Sequence, residues 1–254
     1  VIAILGVAFD GHSSFLRGAA DGPAAIRAAF RSPSANSWSE RGVDLGRPGL
    51  FRDAGDIREF GAIESAAAAL LEQPLITLGG DHSITYPLLK AVRRRNPRLT
   101  ILHIDAHADL YDEFEGSRLS HACPFARIME EGLADRLVQV GLRTVTRHHR
   151  EQAARFGVEM HEMKDWRGSF RFASDTPVYL SLDLDALDPA FAPGVAHHEP
   201  GGLSTREVLH LIQGVEAPLA AADIVELNPA RDPSGITAMA AAKFFKEIAA
   251  RMLG

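Results

Sequence analysis

Asp105, His107 and Asp109 stand on alternate residues of ILHIDAHADLYD, directly after an apolar run. In extended backbone, side chains two residues apart point the same way, so these three would crowd one point. Two other segments repeat the arrangement. GGDHS sets Asp81 and His82 just after Pro74 to Leu78, and SLDLDALDP sets Asp183 and Asp185 after Val178 to Leu182; Glu226 follows the apolar run that ends at Val225. If these motifs meet, Asp105, Asp109, Asp183 and Asp185 share one cleft, and like charges a few ångströms apart raise one another's pKa values or unfold the site. Something cationic is required. Two divalent cations would neutralise four carboxylates, with neutral His82 and His107 completing the coordination shells. Oxygen-rich sites with imidazole and no thiolate suit Mn²⁺ better than closed structural zinc, and Cys123, the one cysteine, makes no thiolate set. Taken singly, Asp81 and Asp188 read as turn or N-cap residues.

Elements that could deliver these motifs to one place are legible in the hydrophobic pattern. Short β-branched or aliphatic runs alternate with longer amphipathic or alanine-rich ones, the pattern of an α/β fold with a mostly parallel sheet between helices. We expect strands at Val1 to Val7, Pro74 to Leu78, Leu99 to Ile104, Arg136 to Val140, Val178 to Leu182 and Ala220 to Val225. Gly22-Pro23 opens one helix, with proline where a missing N–H costs nothing. Ser204 to Glu207 has capping-box spacing, and Ile236 to Met252 makes a closing helix. With parallel strands, every acidic or histidine-bearing strand end falls on one edge of the sheet, where such folds hold their ligands. Two long irregular stretches, Ser32 to Arg52 and Phe191 to Leu203, are expected to shape the mouth of that site. No linker, composition shift or internal repeat divides the chain, so 1-254 is expected to form one domain.

The bulk numbers set limits. At 254 residues, 46% hydrophobic and 24% charged, the chain has material for a full core, and a net charge of −6 leaves no electrostatic footprint for nucleic acid. Arg93, Arg94 and Arg95 read as a solvated helix end. No apolar stretch is long enough to span a membrane, VIAILGV reads as a buried strand, and a single cysteine suits a reducing, cytoplasmic setting.

GGDHS, DAHAD and SLDLDALDP together resemble the three signature motifs of the ureohydrolases, the arginase and agmatinase family. Similarity extends over nearly the whole chain: GVAFD, FLRG with GPAAIR, SHACPF, GLR at 141 to 143, FAPGV with EPGGLS at 191 to 204, and DIVELNP. EGSRLSHACPFARIME and HHEPGGLS are most similar to the agmatinase and plant-type branch. The resemblance implies a three-layer αβα sandwich, a dimanganese centre and a homotrimer or homohexamer. It implies His82, Asp105, His107, Asp109, Asp183 and Asp185 as metal ligands, with His121 and Glu226 as the family's catalytic histidine and its guanidinium-facing glutamate.

That chemistry makes sense of the residue types. A guanidinium is a poor electrophile because its charge is delocalised, so attack needs a water activated by two metals. Asp109 could accept a hydrogen bond from that water, Glu226 could pair with the planar cation, and His121 has the pKa range to shuttle a proton to the departing amine. Thr144, Val145 and Thr146 stand where animal-type arginases place acids for the substrate α-amino group, and LYDEFEGSRLS lacks their asparagine pattern. This favours agmatine over arginine. Arginase or guanidinobutyrase activity is the alternative, with Arg118 a conceivable carboxylate partner; hydrolysis of a formimino or acetyl-polyamine C–N bond and an inactive metal-binding subunit rank lower. His198, like His197, lies in a loop that could reach substrate. His148 and His149 are expected to be exposed on a polar helix, Cys123 to be a small buried side chain, and His103 to be packed or to support a ligand.

Overall fold

The computed structural model describes residues 1–254. Eight strands form one all-parallel sheet: β1 (Ile2–Val7), β2 (Phe51–Ile57), β3 (Leu75–Leu78), β4 (Thr100–Ile104), β5 (Arg136–Leu142), β6 (Glu159–Glu162), β7 (Val178–Asp183) and β8 (Leu219–Val225). Their order across the sheet is β2-β1-β3-β8-β7-β4-β5-β6. The four central strands, β3, β8, β7 and β4, are covered on both faces and accordingly read as near-continuous apolar runs. All six expected strands are present, with shifts of a residue or two at their ends.

The two edge strands were not legible. β2, FRDAGDI, and β6, EMHE, are largely solvent-exposed or half-buried. An edge strand with no buried face needs no apolar alternation, so its sequence carries no strand signal.

Helices α1 (Gly22–Phe30), α6 (Thr205–Gln213) and α7 (Ile236–Leu253) cover one face of the sheet. Helices α2 (Ile63–Ala68), α3 (Thr85–Arg95), α4 (Pro124–Glu130) and α5 (Arg147–Phe156) cover the other, giving the αβα sandwich. The capping box at α6 forms in both directions: Ser204 Oγ accepts from Glu207 N (3.2 Å), and Glu207 Oε2 accepts from Ser204 N (2.8 Å). The Arg93 to Arg95 cluster occupies the last turn of α3, where it opposes the helix dipole.

Ser32 to Arg52 does not shape the mouth of the site. Leu45 is buried in the core against α1 and α7, Glu40 pairs with Arg206 of α6 and, through its N–H, with Glu247 of α7, and the stretch ends inside β2. Its apolar and charged residues anchor it to the helical face rather than to the strand ends.

Candidate metal centre and active site

His82 follows β3, Asp105 follows β4, Asp183 ends β7 and Glu226 follows β8, so the four motifs leave four adjacent strands at one edge of the sheet. Close approach of the loops there demands small residues. A Cβ on Gly80 would meet the Phe9 carbonyl oxygen at 1.7 Å, and Gly141, at φ +101, would put one 2.9 Å from the Asp105 carbonyl. Two non-glycine residues also take left-handed backbone here: Asp109 (φ 49) and Glu226 (φ 66). Such conformations cost on the order of 1–3 kcal/mol and persist where surrounding structure imposes them, often at functional sites.

The carboxylates and imidazoles fall into two sets. Nδ1 of His82 lies 3.1 Å from Asp105 Oδ2, 3.1 Å from Asp109 Oδ2 and 3.2 Å from Asp183 Oδ2. Nδ1 of His107 lies 3.0 Å from Asp185 Oδ2 and 3.5 Å from Asp105 Oδ1. Asp105 therefore offers one oxygen to each set. His82 Nδ1 is buried, surrounded by three acceptor oxygens, and makes no hydrogen bond; a buried polar atom in that state wants a cation. The charge problem expected from the sequence is present. Burial, then Asp185 and Asp105, push Asp183 well above the usual carboxylate range. Burial depresses His82, but Asp105, Asp109 and Asp183 outweigh it and hold the imidazole well above its ordinary value. The donor set thus fits two divalent ions: His82, Asp105, Asp109 and Asp183 around one, and Asp105, His107 and Asp185 around the other.

Above this floor opens a cleft of about 220 Å³. His121 and Glu226 lie side by side in its wall, with Nδ1 of His121 2.8 Å from Glu226 Oε1. Burial lowers the His121 pKa, but Glu226 raises it further, to about 9. The Ser14 N–H, which only donates, points at His121 Nε2 from 3.2 Å, and the Ser14 hydroxyl lies 2.8 Å from the same atom. In the neutral ring that geometry leaves the proton on Nδ1, toward Glu226.

Other residues depart from expectation. Arg118 does not line the cleft; its guanidinium pairs with Glu130 at 2.9 Å on the α4 side. His198 also stays outside, bonded to the Pro193 carbonyl (2.7 Å), and the loop's contribution is its neighbour His197, together with Glu199. His149 is buried rather than exposed, because its ring closes the capping box with Thr146 at the start of α5 and packs edge-on to Tyr111. Burial pushes its pKa down to about 4. Asp81 behaves as a turn residue, accepting from the Ser83 and His12 N–H groups. Asp188 likewise collects the N–H groups of Ala190, Gly201 and Gly202. Cys123 is fully buried, and burial lifts its thiol to about 12. Arg143, of the GLR motif, spans the carbonyls of Asp185, Ala186, Leu187 and Glu199, clamping the Phe191 to Leu203 loop to the turn after β7 that carries Asp185. Ser14 carried no signal of its own, and nothing in the EPGGLS motif that Glu199 opens marked that residue for the cleft, since only the tertiary path of their loops brings them there.

The Arginase family model matches residues 1–250. The chain belongs to the arginase family. It is similar to "Arginase 1, mitochondrial" of Arabidopsis thaliana, 45% identical over 98% of this chain and 80% of that protein. N(1)-aminopropylagmatine ureohydrolase of Thermus thermophilus is 37% identical over 90% of this chain and 83% of that one. Among solved structures, arginase from Medicago truncatula superposes with a TM-score of 0.93 at 41% identity, covering 99% of this chain and 87% of the other. The shared αβα sandwich is that of an arginase-family enzyme. No helix of this family member is long and apolar enough to cross a membrane.

Proposed function

We propose that the chain is a two-manganese hydrolase that releases urea from a guanidino compound, with arginine its main substrate. The observation that carries this reading is the pair of ligand sets sharing Asp105 beneath a cleft whose wall holds His121 hydrogen-bonded to Glu226. His82, Asp105, His107, Asp109, Asp183 and Asp185 would hold two divalent cations, which would supply a water activated for attack near neutral pH. Oε1 of Glu226 is committed to the His82 N–H and to His121, both at 2.8 Å, which leaves Oε2 to accept from a guanidinium and fix its plane. Asp109, held in its unusual backbone conformation, orients the attacking water by accepting a hydrogen bond from it. His121 passes a proton to the departing amine, and Ser14 holds the ring through its two contacts to Nε2.

Glu199 narrows the substrate choice. The expectation of agmatine rested on missing acids after GLR and on the missing asparagine pattern of LYDEFEGSRLS, but an acid reaches the cleft from another loop. Glu199 lines the wall, its carboxylate has no hydrogen-bond or ion-pair partner, and no Arg or Lys shares the cleft. A free carboxylate there suits the primary ammonium that arginine and agmatine share and guanidinobutyrate lacks, while His197 offers a donor to the α-carboxylate that agmatine lacks. The similarity to proteins named arginase supports arginine over agmatine. Urea release from arginine, agmatine and guanidinobutyrate with added Mn²⁺ tests it. Arginine turning over fastest is expected; formamide or acetate from related C–N substrates, or no urea at all, would sink the reading.

A further inference from the structure

One layer beneath the ligands, a row of polar side chains crosses the middle of the sheet. Strand register sets Gln139 of β5 beside His103 of β4, His103 beside Ser181 of β7, and Ser181 beside Asp223 of β8. All four are fully buried. Polar groups in the centre of an apolar sheet are costly unless bonded, and their bonds here run in a defined direction.

Counting protons gives that direction. The Ala108 carbonyl only accepts, so the group 2.6 Å from it is the Gln139 amide nitrogen. Its second N–H points at His103 Nδ1 (3.0 Å), which must therefore accept. The His103 proton then lies on Nε2 and is donated to Asp105 Oδ2 at 2.7 Å, while Phe125 stacks on the ring and holds its plane. At the other end, the Asp223 carboxylate receives Tyr179 Oη–H (2.5 Å), Thr85 Oγ1–H (2.8 Å) and Ser181 Oγ–H (2.8 Å). Ser181 has no second proton, so its oxygen accepts Nε2–H of His82 at 2.9 Å. The bare lone pair of His82 is thereby left on Nδ1, among the three carboxylates.

We infer that Asp223 and Gln139 are positioning residues: through Ser181 and His103 they fix the hydrogen-bond polarity of His82 and Asp105 so that both present only lone pairs to the metal ions. This rests on the two-metal reading above. Outer groups of this kind tune metal affinity by about 10- to 100-fold.

The test is Mn²⁺ titration calorimetry on the full chain, with folding checked by circular dichroism. Wild type is expected to bind two ions; if it binds none, the two-metal reading falls and this inference with it. In D223N the amide oxygen stays with the Tyr179 and Thr85 hydroxyls, whose only acceptor it is, and the NH₂ turns to Ser181. Ser181 then donates to His82, and the His82 proton is driven to Nδ1. One ion should weaken by about 100-fold or more, against about 10-fold for S181A, which removes the relay without reversing it. The double variant S181A/D223N should return to the S181A level, a rescue that a simple packing defect does not give. With two ions bound by wild type, equal affinity in D223N, or a double variant as weak as D223N, overturns the inference. If D223N does not fold, Q139L takes its place: a loss of about 10-fold is expected, and unchanged affinity overturns the inference.

Discussion

Nδ1 of His121 lies 2.8 Å from Oε1 of Glu226, the same oxygen that accepts the backbone N–H of His82. The carboxylate proposed to face the guanidinium is thus tied at one atom to both His121 and the loop that carries His82. In E226Q the charge facing the guanidinium is lost while the ligand sets are untouched. We expect kcat/KM for arginine to fall by about 100-fold, the worth of a charged hydrogen bond, with two ions still bound by calorimetry.

His121 is assigned proton delivery rather than metal binding. H121N should retain its ions and lose on the order of 10²- to 10⁴-fold in kcat, the usual span for general acid–base groups. Steady-state kinetics beside metal analysis checks both halves; an intact kcat would remove His121 from the reaction.

Glu199 is the proposed partner of the substrate ammonium. E199Q should raise KM for arginine and for agmatine by about 10-fold or more and leave guanidinobutyrate nearly unaffected, because guanidinobutyrate has no ammonium to lose. The measurement is the ratio of kcat/KM values for arginine and guanidinobutyrate, and an equal change for both would show that Glu199 does not read that group.

Away from the site, Arg206, then Gln213, hold Glu40 down to about 2 from an ordinary 4.5. A carboxylate depressed on folding stabilises the native state above its unfolded pKa, and that contribution disappears as pH falls from about 4.5 to about 2. The pair is partly exposed, so solvent screening limits its worth to about 1 kcal/mol or less. E40Q should lower the urea midpoint relative to wild type at pH 7, and the gap should close by pH 2.

The legible part of this molecule was its buried part. Each central strand carried an apolar run, and each ended in an acid or histidine, so the sheet and its ligand edge followed from pattern alone. Edge strands β2 and β6 escaped because exposure erases that pattern. Loop side chains were the least legible. His197 and His198 are neighbours of one type, yet one lines the cleft and the other bonds a carbonyl outside it. Arg118 could pair with Glu130 only once α4 had formed beside it, and Glu199 reaches the cleft in a loop fastened by Arg143, a contact between segments 56 residues apart. His149 was misread because its polar neighbours are exposed, whereas capping turns its own ring inward.

The central claim is that the acidic edge is a two-metal site, and the most direct measurement is an anomalous difference map from a crystal of the Mn²⁺-loaded protein. The account predicts two peaks roughly 3.5–4 Å apart, one among His82, Asp105, Asp109 and Asp183 and the other among Asp105, His107 and Asp185. A single peak, or peaks away from these residues, would contradict it.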